Sequence, residues 1–272
     1  MKPVAFDLLQ AGDVASALAA LAGGGDEAKP ISGTQSIGPM LNLRLARPSL
    51  AVDISRIAAL RECRDEGDAI LYGAAITHAE IEDGALPDAT PGWMAAAARR
   101  IAYRAVRNRG TLGGSLAHAD PAADWVNVLT ALDASVVLRS VGGERTVPLT
   151  GFFSGSFSTV LEPGEIITHV RVRKRSAAAR WAYWKYCRKV GEFAMASAAV
   201  LIDPERTETR ILVGAIERPP ALLRDPEAVL AGRLGIAEAV TEAAPGLSAQ
   251  SQALHVAAVG RAIAMADDRN NG

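Results

Sequence analysis

Apolar positions along this chain change period several times, and each change marks an element. Val14, Leu18 and Leu21 recur at helical spacing behind Asp13, whose carboxylate can accept from helix-start N–H groups. Gly23-Gly24-Gly25 stops that run. Lys29-Pro30-Ile31 predicts a short strand feeding a loop over residues 32–36. Ser36 stands where the next helix needs a cap, with Pro39 in its first turn, where a missing N–H costs nothing, and Pro48 closing it. Residues 50–54 and 69–72 predict further strands. Thr77-His78-Ala79-Glu80 has the spacing of a capping box, and a longer helix follows over residues 93–102. Asp120-Pro121 opens a helix with Val126, Leu129 and Leu132 on one face. Residues 135–138 and 145–147 flank Gly142-Gly143 as a hairpin. Thr168-His169-Val170-Arg171-Val172-Arg173 alternates, which predicts a strand with one wet face.

The basic, alanine-containing stretch 174–180 reads as a boundary. Beyond it, residues 194–202 and 210–216 read as strands, Tyr183, Trp184 and Tyr186 as strand residues, and residues 226–232, 236–243 and 250–265 as alanine-rich helices. Strands mixed with helices give an α+β class in three parts: residues 1–57, 58–175 and 176–272. No internal repeat appears.

Composition narrows the function classes. An apolar fraction of 49% suffices for a buried core. The 29 basic and 30 acidic residues leave a formal charge of −1, which argues against nucleic acid held by bulk charge. No run of 18 apolar residues predicts a membrane span, and the first residues lack the pattern of a signal peptide, so a cytoplasmic protein is expected. Cys63 and Cys187 cannot supply the four thiolates of an iron–sulfur cluster. They read as ordinary buried thiols.

The most specific wording is Val106-Arg107-Asn108-Arg109-Gly110-Thr111-Leu112-Gly113-Gly114-Ser115-Leu116-Ala117-His118-Ala119-Asp120-Pro121. Two adjacent glycines allow a sharp turn and a close ligand approach. Successive N–H groups in such a turn form a concavity suited to phosphate, with Thr111 and Ser115 adding hydroxyls. The Gly-x-Gly-x-x-Gly fingerprint of a Rossmann dinucleotide site is absent.

This wording resembles the FAD-binding medium subunit of the molybdenum hydroxylases, the family of aerobic carbon monoxide dehydrogenase. Other segments resemble it in family order over roughly residues 1–220. Ile31-Ser32-Gly33-Thr34-Gln35-Ser36 looks like the first flavin loop, and Tyr72-Gly73-Ala74-Ala75-Ile76-Thr77 like the Gly-Ala-x-x-Thr strand end. Leu161-Glu162-Pro163-Gly164-Glu165-Ile166-Ile167 looks like the later hairpin, and Gly191-Glu192-Phe193-Ala194 like the Gly-Asp-Phe/Tyr-Ala segment. The resemblance implies the FAD-binding fold of vanillyl-alcohol-oxidase (PCMH) type in two lobes, over residues 1–57 and 58–175, with a C-terminal α+β domain over residues 176–272.

It also implies a site. Ser32, Gly33, Thr34, Gln35 and Ser36 would supply donors to the pyrophosphate from one side, and Thr111, Gly113, Gly114, Ser115 and Ala117 from the other, with Ala74 and Ile166 beside the cofactor. Thr34 stands where the family often has a second glycine, and a β-branched residue disfavours positive φ. Asp120 reads equally as a helix cap or as a ligand contact; Asp124, free of capping duty, would approach the ribose or hold the loop. From the residues alone Phe193 is a core aromatic; the resemblance sets it against the flavin ring and Lys185 at the pocket. His118 invites a covalent flavin link or a metal, but the family's pattern there is His or Asn and no second His lies nearby, so a hydrogen-bonding role is expected. His78, His169 and His255 read as surface or cap-adjacent. Arg107 and Arg109 read as solvated charge, or as help for the pyrophosphate or an acidic partner.

The function so implied is an oxidoreductase subunit with no catalytic residues and no metal of its own. It would hold FAD noncovalently and pass electrons from the [2Fe–2S] clusters of a small partner subunit to an external acceptor, with molybdopterin in a large partner, in a dimer of heterotrimers. A stand-alone flavin oxidoreductase of the same fold, or a scaffold that has lost FAD, are the alternatives.

Overall fold

The computed structural model describes residues 2–268. The first lobe builds on a parallel unit. Strand β1 (Asp7–Gln10) leads to helix α1 (Val14–Gly24), then β2 (Ala28–Ile31), helix α2 (Ile37–Asn42) and β3 (Leu50–Asp53), in the sheet order β1-β3-β2. Asp13 caps α1 in a full capping box with Ser16, and the helix ends at Gly25, whose φ is positive (55°). Helix α2 stops at Asn42, one turn earlier than Pro48 suggested; residues 43–48 leave it as irregular chain.

The second lobe is an antiparallel sheet ordered β4-β5-β10-β6-β7 with helices packed on it. It runs β4 (Cys63–Asp65), β5 (Ala69–Gly73), α3 (His78–Glu82), α4 (Trp93–Arg99), α5 (Arg104–Arg107), α6 (Leu112–His118), α7 (Asp124–Ala131), β6 (Ser135–Ser140) and β7 (Gly143–Pro148). Then come α8 (Leu149–Phe152), a small hairpin of β8 (Phe153–Gly155) and β9 (Ser158–Thr159), and β10 (Ile166–Arg173). The expected wet face of β10 is present at Arg171 and Arg173, which are part-exposed beside buried Val170 and Val172, but not farther back: the strand lies between β5 and β6, and Ile166 through Val170 are all buried. His169 is therefore buried, as are His78 and His255, and none of the three is a surface residue.

The third lobe is the antiparallel sheet β11 (Arg180–Tyr186), β12 (Ala196–Asp203), β13 (Glu208–Gly214) and β14 (Ala221–Leu222), followed by α9 (Pro226–Leu230), α10 (Ile236–Ala243) and α11 (Ala249–Asp268). Its strand alternation feeds two cores. Ala182, Ala198, Val200, Ile211 and Val213 meet Ala258, Val259 and Ala262 of α11. The intervening Trp181, Tyr183, Ala199, Leu201 and Leu212 join the core of the second lobe, where Trp181 stacks on Trp93 at 5.5 Å. The boundary stretch is pinned rather than loose. Arg175 is buried, bonded to Glu208 and to the carbonyl of Leu132, and Ser176 donates to Asp203 at 2.6 Å.

Candidate functional site

A cleft of about 480 Å³ opens where the three lobes meet. The first lobe contributes the loop between β2 and α2. Ser32, Gly33, Thr34, Gln35 and Ser36 all line the cleft. Thr34 takes φ 59°, the left-handed conformation its side chain disfavours, so the loop keeps the turn expected of a glycine there. Gln35 Nε2 donates to the Gly33 carbonyl at 2.9 Å and closes the turn. Ser36 occupies the cap position of α2 without a side-chain cap bond. Among the described residues nothing accepts from the backbone N–H groups of Gly33, Thr34, Gln35 or Ser36. The buried Ser32 hydroxyl is also without a partner.

The second loop crosses the first. A Cβ on Gly33 would stand 2.1 Å from the Arg109 carbonyl oxygen and 2.7 Å from Gly110 Cα, so glycine is what lets the backbones meet. Residues 110–113 are stitched to the end of β5: His78 N–H donates to Gly110 O, Leu112 N–H to Ile76 O, and Gly113 N–H to Ala74 O, each at 2.9 Å.

That stitching corrects the expectation for Gly113-Gly114. The pair is not a turn but the first turn of α6, capped by Thr111, whose hydroxyl accepts from Gly114 N–H at 3.2 Å. Ser115 N–H donates to Thr111 O. The N–H groups of residues 112–115 are thus spent inside the protein, and Thr111, Gly114, Ser115 and Ala117 line the cleft with side chains and surface rather than a ring of amides. Gly113 faces away, because its missing Cβ makes room for Ala74, 2.5 Å from where that atom would be. Ala74 is buried beneath α6, and Ile166 belongs to the core of the first lobe; neither reaches the cleft.

Asp120 lines the cleft and accepts from Ala122 N–H at 2.9 Å, a local turn, while the helix that follows starts only at Asp124. Proline at 121 does not open it. Asp124 lines the cleft and pairs behind it with Lys185 of the third lobe, which does not itself line it. Lys185 Nζ donates to Asp124 Oδ2 at 2.9 Å and to the Arg100 carbonyl at 2.9 Å, and lies 2.8 Å from Oδ1 without hydrogen-bond alignment. Burial pushes the Asp124 pKa up, against the pull of Lys185. The Tyr183 phenol beside it is raised well above its usual value, by burial first and by Asp124 next.

Phe193 is not a core residue. It lines the cleft and is 63% exposed, on the loop between β11 and β12 with Gly191 and Glu192. His118 lines the cleft with its ring tilted on Phe157, 5.3 Å between centroids, and no His/Cys/Asp/Glu metal cluster exists among the described residues. Arg107 is claimed by Glu82, at 2.6 Å from Nε and 3.0 Å from Nη2, and by the carbonyls of residues 101 and 102; it holds α5 in place and is not available to an anion. Cys63 and Cys187 are half-buried and unpaired, and burial pushes the Cys63 thiol up to about 11.

Several lining residues escaped the sequence reading, among them Met40, Ile101, Val106 and His78. His78 follows the cap Thr77 and reads as cap-adjacent, yet it sits in the cleft wall against Gly110. Only packing of the second loop on α3 brings it there.

This combination, an FAD-binding fold of PCMH type with its cleft at a three-lobe junction, defines a class. Residues 4–173 match the FAD binding domain in molybdopterin dehydrogenase, and the chain belongs to that family, the FAD-binding medium subunits of molybdenum hydroxylase complexes. It is 42% identical over 202 residues to the 6-hydroxypseudooxynicotine dehydrogenase complex subunit alpha of Paenarthrobacter nicotinovorans, covering 74% of this chain and 68% of that one. It is 35% identical to the caffeine dehydrogenase subunit beta of Pseudomonas sp. (strain CBB1), covering 86% and 80%. The carbon monoxide dehydrogenase structure from Hydrogenophaga pseudoflava superimposes with a TM-score of 0.89 at 32% identity, covering 99% of each chain. These relatives are oxidoreductase subunits. No helix among the described residues is long and apolar enough to cross a membrane.

Proposed function

We propose that this chain holds FAD noncovalently across the three-lobe cleft and serves as the electron outlet of a molybdenum hydroxylase complex. The observation that carries the reading is the unspent donor set of the first loop: the backbone N–H groups of Gly33, Thr34, Gln35 and Ser36, from which no protein atom among the described residues accepts, and the buried, unpartnered Ser32 hydroxyl, all on residues that line one cleft. A buried donor left without a partner, as the Ser32 hydroxyl is, costs about 1–3 kcal/mol, and beside it a run of unspent backbone N–H groups points to an anionic ligand that completes the set. The residues present therefore fit a dinucleotide.

Residues 32–36 would hold the pyrophosphate. Thr111 acts as a scaffold: it caps α6 and fixes where Gly114 and Ser115 face the ligand. Phe193, projecting from the third lobe, would cover one face of the flavin ring and exclude water from it. Asp124, braced by Lys185, would accept a hydrogen bond from a ligand hydroxyl. When bound, FAD supplies the two-electron carrier that links one-electron [2Fe–2S] clusters of a small partner to an external acceptor. The large partner would carry molybdopterin and the substrate, and the assembly would be a cytoplasmic dimer of heterotrimers.

The experiment is acid precipitation of the purified protein followed by flavin analysis of both fractions. FAD is expected in the supernatant; flavin retained on the protein overturns the noncovalent reading. Turnover of an aldehyde, purine or N-heterocycle by the single chain, free of molybdenum and iron, would overturn the partner-dependent role.

A further inference from the structure

His78 is a buried side chain in the cleft wall whose role the fold does not explain. The Trp125 indole N–H donates to its Nδ1 at 3.0 Å. An indole N–H can only donate, so Nδ1 accepts, and the neutral ring must carry its proton on Nε2. Burial, with help from the Arg107 charge, lowers the His78 pKa to about 4, which keeps the ring neutral near pH 7. No residue accepts from Nε2 among the described residues.

The position of that donor is defined by its neighbours. A Cβ on Gly110 would stand 2.7 Å from His78 Nε2, and Gly110 is also what Gly33 packs against. Nε2–H therefore flanks the crossing of the two loops, in the same cleft that the unpartnered Ser32 lines.

We propose that His78 is an additional dinucleotide-binding residue, its tautomer set by Trp125 so that Nε2–H donates to a pyrophosphate oxygen at the loop crossing. The proposal rests on the reading of the cleft as an FAD site. A neutral donor here satisfies one anionic oxygen without adding a fixed charge near Arg107, which is paired with Glu82 and does not line the cleft. Trp125 is then a positioning residue: it removes the alternative tautomer, which would present a lone pair to the phosphate and repel it.

The test uses the full chain and two ligands, FAD and ADP, which shares the pyrophosphate but not the flavin. The double variant His78→Phe/Trp125→Phe removes the donor without stranding the indole N–H, and Trp125→Phe alone keeps the imidazole. The double variant is expected to weaken both ligands about ten- to hundredfold relative to Trp125→Phe, the range for a hydrogen bond to a charged group. Unchanged affinity for FAD, or loss for FAD but not for ADP, overturns the proposal. Should the double variant not fold, ¹⁵N NMR of the unsubstituted protein decides. A proton on Nε2 whose resonance shifts when FAD is added supports the assignment, and a proton on Nδ1 or an unshifted Nε2–H refutes it. If the unsubstituted protein takes up neither FAD nor ADP, it is the cleft reading that fails. If it takes them up and only the His78 arm is silent, that reading stands without His78.

Discussion

The Lys185–Asp124 pair makes the sharpest energetic prediction. Both side chains are nearly inaccessible, at 4% and 8%, so solvent does not screen them. Lys185→Met keeps the aliphatic stem and removes the charge, leaving the Asp124 carboxylate alone in the wall between the second and third lobes. Breaking a buried pair from one side costs about 3–5 kcal/mol, a large part of the ~5–15 kcal/mol that holds a typical domain together. The cost should depend on pH. Burial already raises the folded-state pKa of Asp124 above its ordinary 3.8, and losing Lys185 raises it further. A carboxyl with a raised folded pKa holds a proton that the unfolded chain has released, so the variant loses stability as pH climbs from about 4 through that raised value, and levels off above it. The penalty should therefore be small near pH 4 and full in mild alkali. Adding Asp124→Asn removes the stranded charge and should recover most of the loss. The assay is urea unfolding of the flavin-free protein across pH 4.5–8.5, followed by the fluorescence of the buried Trp93, Trp125 and Trp181. A loss under about 1 kcal/mol at the alkaline end, a pH-independent loss, or a double variant no more stable than the single one would refute the argument.

Three further outcomes are expected. Gly33→Ala sets a methyl against Arg109 O and Gly110 Cα, both backbone, so the loops must part; flavin absorbance per protein should fall at least about tenfold with a stability loss of about 1–3 kcal/mol, and a normal flavin content would show that the crossing is not part of the site. Thr34→Gly relieves a β-branched residue at φ 59° and should raise stability by about 0.5–1 kcal/mol with FAD still bound; thermal melts that move down instead would mean the threonine side chain is needed. Phe193→Ala, at an exposed position, should change stability by less than about 0.5 kcal/mol and keep most FAD while altering flavin fluorescence and reoxidation rate; unchanged flavin spectra would remove Phe193 from the ring.

Much of the chain was legible because the signals that set it act over a few residues. The Asp13–Ser16 and Thr77–Glu80 boxes, the Gly142-Gly143 hairpin and helix α10 form where spacing and caps place them, since cap and turn bonds close within three or four residues. The family wording likewise lies in contiguous loops, so the flavin-type fold could be read before any packing was known. Three things were settled only by tertiary structure. The wet face of β10 shrank to Arg171 and Arg173, with His169 buried by tertiary packing. The Gly113-Gly114 amides turned inward because β5 and the Thr111 hydroxyl accept them, which moved the free donors to the first loop; hydrogen-bond satisfaction is counted over all partners in space, and the sequence names only the donors. His78 entered the cleft wall because the second loop packs on α3, and Lys185 found Asp124 because separate lobes close on one another there, burying polar groups that local pattern leaves on the surface. The sequence by itself determined which elements form and which loops could meet a dinucleotide; the packing of three lobes decided which atoms face it.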